Sequence, residues 1–339
     1  MSIKTMLDEL SDFGLKTTLL HTKSKITGDR TAYIKQKELE IDSHTSEKCI
    51  PALKHLFKSK VGFSLNIKNP QTLTEKIQWL KIYDSTPLKT RLADKYLVRE
   101  YVKEKVGDKY LIPLLGAWDS FDEIDFSKLP EKFVLKTNHA SGQNIVVKNK
   151  SLFDIAGAKA KFDKWLAECP QVYSFYELHY RDIPRKIIAE EYIEQVDGNL
   201  YDYKIHCFNG KAVFTEVIGN RNLELHTGME AFYTREWEKM DMVDRTYPIY
   251  ENSIECPRNW KKMLEMAEIL AGGLCYVRVD LYNILQNDAV GDGILFGEMT
   301  FSPASGFYPF IGTHYNDKKF GELLKLPKEE FILGAKKII

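Results

Sequence analysis

No stretch of this sequence stays apolar for long: the longest uninterrupted run, residues 269–277, holds nine residues, two of them glycine. A membrane-spanning helix needs about 20, so no transmembrane segment is expected. A secretory leader is not expected either, because Asp8, Glu9 and Asp12 fall where its apolar stretch would lie. Cysteine is scarce and scattered. The five residues Cys49, Cys169, Cys207, Cys256 and Cys275 form no CxxC pair and read as reduced thiols, not as staples or zinc ligands. Neither sign of charge is in excess, with 48 Lys plus Arg against 48 Asp plus Glu. A dedicated nucleic-acid binder usually shows a basic surplus, so nucleic acid is not an expected partner, although a local basic groove for a phosphate-bearing molecule stays open. No GxSxG, HExxH, GxGxxG or GxxxxGK[ST] motif occurs, which removes the corresponding hydrolase, zinc-protease, dinucleotide and P-loop chemistries. The expectation is a soluble cytoplasmic protein.

What is there is an ordinary globular composition, 44% apolar over 339 residues, about two domains' worth of chain. Residues 1–60 are polar and lysine-rich and read as a helical extension. Residues 61–130 read as mainly helical. Thr72 and Glu75 have capping-box spacing ahead of Leu73, Ile77 and Leu80, and one helix is expected from about Leu92 to Lys105, stopping at Gly107. From Pro130 onward strands take over. KFVLK and NIVVK are strand candidates around the turn-rich TNHASGQ, and Ser151 is expected to cap a helix through Trp165. A strand at 185–194 follows, then two strands flanking Asn209-Gly210, a strong short hairpin signal. A helix from Trp260 to Leu270 ends at Gly272-Gly273, and strands beginning at Cys275 and Ile294 close the core. Helices and hairpins are mixed without a βαβ series, so the fold class is α+β.

Four constellations carry chemistry. In YVRVDLY, Arg278 and Asp280 lie two apart and share a strand face, as do Glu298, Thr300 and Ser302 in FGEMTFSPASG. If these strands pair, Asp280 and Glu298 converge, and two carboxylates with a neutral oxygen suit Mg²⁺; a surface ion network explains the same spacing. Lys136 ends KFVLK and faces a loop of small and polar residues, an arrangement that offers an ammonium and backbone N–H groups to phosphate oxygens. His139 in that loop is either a phosphate donor or a cap on its own turn. The Asp202, Lys204, His206 alternation is either one face of a site or a solvated outer strand face. In IIAEEYIE an apolar strand runs into acids; it is a strand meeting a loop, or a reader of the adenine edge through Glu190 and backbone groups near Ile193.

Taken in order, ADK at 93–95, FVLK with its small-residue loop, IIAEEYIE, RVDLY and FGEMTFSPASG resemble the ATP-grasp superfamily. More closely, NPQTLTEKIQWLKIYD, LADKYLVREYV, KFVLKTNHASGQNIVV, DYKIHCFNGK and YVRVDLY resemble the TupA-like ATP-grasp family, over roughly residues 62–320. The resemblance implies an ATP-grasp fold. In it, 131–200 is the lid and adenine subdomain, 201–325 is the metal-binding subdomain, and 61–130 is a mainly helical pre-grasp region. It implies ATP and Mg²⁺ as cofactors. Lys95 and Lys136 would hold phosphates, with Ser141 and Gly142 in the lid. Glu190, Glu191, Tyr192 and Ile193 would cradle adenine, and Glu194 would lie near the ribose. Asp280, Glu298 and Thr300 would carry Mg²⁺, Arg278 would stabilise an oxyanion, and Lys204 would position the γ-phosphate or acceptor. Thr300 stands where the superfamily usually has asparagine, Ala140 where these lids often have glycine, and no α/β pre-grasp domain precedes Lys95.

Members of that family occur in bacterial surface-polysaccharide gene sets. The implied activity is an ATP-dependent carboxylate–amine ligase working through an acyl phosphate, on small-molecule or glycan carboxylates and amines. An ATP-dependent kinase on the same fold, a polysaccharide glycosyltransferase and a non-catalytic ATP-binding module are the alternatives.

Overall fold

Thr72 and Glu75 close the capping box that their spacing predicts: the Thr72 hydroxyl accepts from the Glu75 N–H at 3.2 Å, and the Glu75 carboxylate accepts from the Thr72 N–H at 3.2 Å. The helix they start is one of ten in the computed structural model, which describes residues 3–28, 30–193, 200–222, 227–244, 246–284 and 292–336. Three helices, α1 (Ile3–Thr27), α2 (Thr31–Asp42) and α3 (Ile50–Val61), make the N-terminal region. Then come α4 (Leu73–Tyr83), α5 (Pro87–Ala93) and α6 (Val98–Lys105). The expected single helix from 92 to 105 is therefore two. Asp94 breaks it by accepting the N–H groups of Tyr96 at 2.8 Å and Leu97 at 3.2 Å, and it also takes the Asn138 amide at 2.9 Å. A side chain that competes for backbone donors ends one helix and starts the next, and Lys95 sits in the resulting turn.

Strand β1 (Leu114–Trp118) lies within the span read as mainly helical. It joins β2 (Phe133–Thr137), β3 (Asn144–Val147) and β4 (Ile187–Glu191) in an antiparallel sheet of order β1-β4-β2-β3. Between β3 and β4 run α7 (Ile155–Ala167) and α8 (Pro170–Phe175). The cap of α7 is not Ser151 but Asp154, which accepts the Gly157 N–H at 2.9 Å. Strand alternation splits this sheet into two faces. Phe133, Leu135, Ile187 and Ala189 form a core with Ala158 and Phe162 of α7, while Lys136, Ile188 and Glu190 line the opposite face.

The second sheet has the order β10-β9-β5-β6-β7 and is antiparallel throughout. Its strands are β5 (Asp202–Phe208), β6 (Lys211–Asn222), β7 (Thr227–Thr234), β9 (Tyr276–Asn283) and β10 (Ile294–Thr300). A short β8 (Met242–Val243) pairs with β11 (Ile311–Gly312); α9 (Trp260–Ala271) covers the sheet and α10 (Asp317–Leu323) packs on α4. Asn209 and Gly210 turn β5 into β6 with φ of 49° and 78°, the two left-handed residues that a tight hairpin demands. The strands β9 and β10 do pair, with Glu298 opposite Asp280 and Thr300 opposite Arg278, across a bulge at Gly297. Every residue of β5 is buried. The reading of Asp202, Lys204 and His206 as a solvated outer face is thereby overturned: they face inward with their neighbours on β6 and β9.

Candidate functional site

The polar face of β9 and β10 is built around one guanidinium. Arg278 gives Nε to Asp280 Oδ1 and Nη2 to Asp280 Oδ2, both at 2.7 Å, a two-pronged pairing that fixes both side chains. Its Nη2 also reaches Glu298 Oε1 at 3.3 Å and Thr300 Oγ1 at 3.2 Å. Nη1 has no acceptor among the described residues. Burial alone would lower the basicity of Arg278, and the Asp280 carboxylate more than reverses it. Asp280 is raised by burial, against the pull of Arg278 and Lys204. Glu298 is a third exposed, its neighbour Thr300 donating to it at 2.9 Å. Burial would raise its carboxyl, but Lys95, Arg278 and Lys204 outweigh that and bring it to about 2.

Lys204 is placed behind this group rather than in front of it. Its ammonium bonds Asp280 at 2.6 Å and Asp202 at 2.7 Å, and only 7% of the side chain is exposed. Lys95 approaches from the other side. Its Nζ donates to the Ala140 carbonyl at 2.7 Å and lies 3.9 Å from Glu298 Oε2, and its backbone N–H bonds the Asn138 carbonyl at 3.1 Å. Burial depresses its basicity, Glu298 opposes that, and the nearby Lys136 adds to the depression. Two ammoniums sharing one space beside carboxylates are suited to an anion held together with a cation.

On the first sheet Lys136 bonds Glu190 Oε2 at 2.6 Å, and Arg99 of α6 bonds Glu190 Oε1 at 3.1 Å and the Ile112 carbonyl at 2.8 Å. Glu190 is thus the counter-ion of two cations, a role its sequence context does not disclose. Arg99 escaped sequence reading; its only signal is the four-residue spacing from Lys95. Ser141 and Gly142 are exposed at the loop tip, Gly142 with φ of 74°. His139 does not face that opening. It is buried, with Nε2 donating to the carbonyls of Trp165 and Glu168 at the end of α7, 3.2 Å each, and burial holds its pKa down at about 4. Of its two sequence readings, phosphate donor and turn cap, the structure supports neither, because the neutral ring pins the loop to α7. Glu191 is exposed; the Tyr192 ring lies 5.8 Å from the ammoniums of Lys132 and Lys148, and Ile193 is half-buried. Glu194 lies outside the described residues.

The oxygens present fit Mg²⁺ by their chemistry. Glu298 is a hard donor at the accessible edge, the buried Thr300 hydroxyl lies beside it, and Asp280 Oδ1, bonded among the described residues to Arg278 alone, keeps a lone pair. Behind them the SPASG turn is braced from the protein side. Gln78 donates to the carbonyls of Ser305 and Gly306 at 3.1 and 2.6 Å, Lys81 donates to Ser305 at 3.0 Å, and Glu177 takes the hydroxyls of Ser302 and Ser305. Ala304 and Ser305 hold φ of 45° and 56° there.

A family model described as TupA-like ATPgrasp matches residues 75–325. No curated protein matches the sequence. Among solved structures, N5-carboxyaminoimidazole synthase from Aspergillus clavatus in complex with ADP is 12% identical, with a TM-score of 0.36 over 67% of this chain and 50% of that one. The Staphylococcus aureus N5-carboxyaminoimidazole synthetase complexed with ADP is also 12% identical, with a TM-score of 0.38 over 72% and 55%. D-cycloserine synthetase DcsG is 14% identical, with a TM-score of 0.35 over 70% and 72%. The chain spans about half the length of the two N5-carboxyaminoimidazole enzymes.

Proposed function

The chain belongs to the TupA-like ATP-grasp family and has the ATP-grasp fold behind a mainly helical N-terminal region, and from that premise we propose that it is an ATP-dependent carboxylate–amine ligase. The observation that carries this reading is the meeting of Lys95 and Lys136 with the Glu298, Asp280 and Thr300 oxygens around Arg278. ATP would lie between the half at 131–200 and the half at 201–325. Lys95 and Lys136 would take its phosphates, the loop at Ser141 and Gly142 would cover them, and residues 190–194 would border the adenosine. Glu298, Asp280 and Thr300 would hold Mg²⁺, which when bound neutralises phosphate charge.

A substrate carboxylate oxygen bonds the γ-phosphorus as the bond to ADP breaks. An amine lone pair then adds to the acyl carbon, the nitrogen loses a proton, and the carbon–oxygen bond to phosphate breaks, leaving an amide. Arg278 contributes at the second stage. Its Nη1 donors, with no acceptor among the described residues, would bind the oxyanion of the tetrahedral adduct, while Asp280 holds the plane of the guanidinium. Lys204 is a positioning residue in this scheme, since it anchors Asp280 and Asp202 from behind. The substrates we propose are carboxylates and amines of surface polysaccharides, handled in the cytoplasm; among the described residues no helix is long and apolar enough to cross a membrane.

The test is incubation with Mg·ATP, hydroxylamine and a panel of uronic acids and amino acids. A ligase releases ADP and phosphate and leaves a hydroxamate only with the right carboxylate. Arg278→Ala is expected to keep ATP binding and lose amide formation by roughly 10²–10³-fold. A stable phosphate ester as product would make the protein a kinase, and a glycoside formed without ATP would make it a glycosyltransferase.

A further inference from the structure

The sheet face that carries Arg278 and Asp280 continues across β5, β6 and β7 to a second group of acids. Register sets Asp280 opposite Lys204 and Lys204 opposite Glu216, so Glu216 lies two strands, roughly 10 Å, from Asp280. Glu230 sits on β7, and Asp244 follows β8. One carboxylate oxygen from each of Glu216, Glu230 and Asp244 lies within 4.8 Å of the other two, and all three residues are buried. Two oxygens facing each other across a hard divalent ion are about 4–5 Å apart, so the span admits an ion without rebuilding the sheet.

Acidic residues often cluster without purpose, but here polar atoms of two buried side chains lack an ordinary hydrogen bond among the described residues. Glu230 is fully buried, its carboxylate oxygens have no hydrogen bond of ordinary length among the described residues, and burial with Asp244 and Glu216 alongside pushes its carboxyl up to about 9. His206 of β5, 1% exposed, points at the cluster from the neighbouring strand. Its Nε2 has no hydrogen-bond partner and lies 3.9 Å from Glu216 Oε2, while Nδ1 bonds the Tyr276 hydroxyl at 2.9 Å. A histidine whose other nitrogen is held in this way has its ring aimed. Lys204, the nearest lysine on the adjoining strand, already bonds Asp202 and Asp280. Burial pushes the Glu230 and Asp244 carboxyls up, since charged carboxylates held close together away from water are costly, and a cation would relieve them.

We propose that Glu216, Glu230 and Asp244 form a second cation site, for a hard divalent ion of the Mg²⁺ or Ca²⁺ type, separate from the one that accompanies ATP. Its role is structural. Asp244 accepts the Thr246 N–H at 2.8 Å, and Glu230 exchanges backbone bonds with Pro248 and Tyr250 at 2.9 and 2.8 Å. An ion bridging the three carboxylates would therefore clamp Asp244 and residues 246–250 onto β6 and β7.

The test uses the full chain without nucleotide, titrated with Mn²⁺ by electron paramagnetic resonance and with Ca²⁺ by calorimetry. One site is expected in the wild type and in Glu298→Gln. Glu230→Gln and Asp244→Asn should each weaken it at least tenfold, and the ion should raise the Tm of the wild type but not of these variants. If Glu230→Gln fails to fold, Asp244→Asn, at the edge of the cluster, decides. No binding up to millimolar ion overturns the proposal and leaves a shared proton as the occupant. Binding that needs Glu298, or that survives both substitutions, overturns it as well.

Discussion

At His139 the chemistry of one side chain is set by the direction in which its loop turns. The ring is buried and neutral against the end of α7, its pKa held at about 4 by burial. In the unfolded chain it titrates near 6.5. Between those values the unfolded chain binds a proton that the folded one refuses. The stability this site confers is therefore complete above pH 6.5 and is lost as pH falls through about 4. Urea unfolding across that window should show the wild type losing on the order of 2–4 kcal/mol more than His139→Gln, whose amide can donate to the same carbonyls without titrating. Parallel pH profiles for the two proteins would mean that the ring is not held neutral. Glu298 behaves in the opposite sense to the buried acids. Lys95 and Arg278 beside it keep it ionised well into acid, so the charge that would hold Mg²⁺ persists at any physiological pH.

Elements here are bounded by side chains that compete for backbone groups and by residues that can take left-handed conformations. The capping box at Thr72 and the turn at Asn209-Gly210 are local devices, and both stand where their residues predict them. Gly210 does more than turn the chain. A Cβ there would lie 2.4 Å from the Gly272 carbonyl oxygen, which terminates α9, and φ is already 78°. Gly210→Ala should cost roughly 1–3 kcal/mol of stability through backbone strain and this clash, measured by urea unfolding, with secondary structure retained by circular dichroism. A neutral substitution would show that the β5–β6 hairpin and α9 separate freely. The break between α5 and α6 is of the other kind. Asp94 could have continued a helix; the bond it makes to Asn138, 44 positions away, favours the turn that presents Lys95.

Across the whole molecule a chain of ion pairs runs from each sheet toward the other. Arg99 of α6 and Lys136 share Glu190 on the first side, and Glu298, Arg278, Asp280, Lys204 and Asp202 are linked on the second. Lys95 stands between, with Lys136 and Glu298 as its neighbours. A polyanion bound at Lys95 and Lys136 would tie the two sheets together. Mg·ATP at about 100 times its Kd should stabilise the fold by about 2.7 kcal/mol, seen as a rise of several degrees in Tm. Lys136→Ala should abolish the rise. GTP should give a smaller one, because its O6 is an acceptor facing the Glu190 carboxylate. Equal shifts with both nucleotides would remove Glu190 from purine recognition.

The sequence by itself determined the capping box at Thr72, the hairpin at Asn209-Gly210, the side chains that share a face on the RVD and E-x-T strands, and the family whose ordered motifs these are. Those signals act over a few residues or across a single turn, where spacing alone decides which side chains meet. Tertiary structure alone decided the rest: that Lys204 lies behind Asp280, that Arg99 shares Glu190 with Lys136, that His139 turns inward, and that Glu216, Glu230 and Asp244 meet. Each depends on the register of strands and the docking of helices distant in the chain. The identity of the neighbour, and with it burial and charge, is set by packing the apolar faces, which one strand's alternation cannot specify.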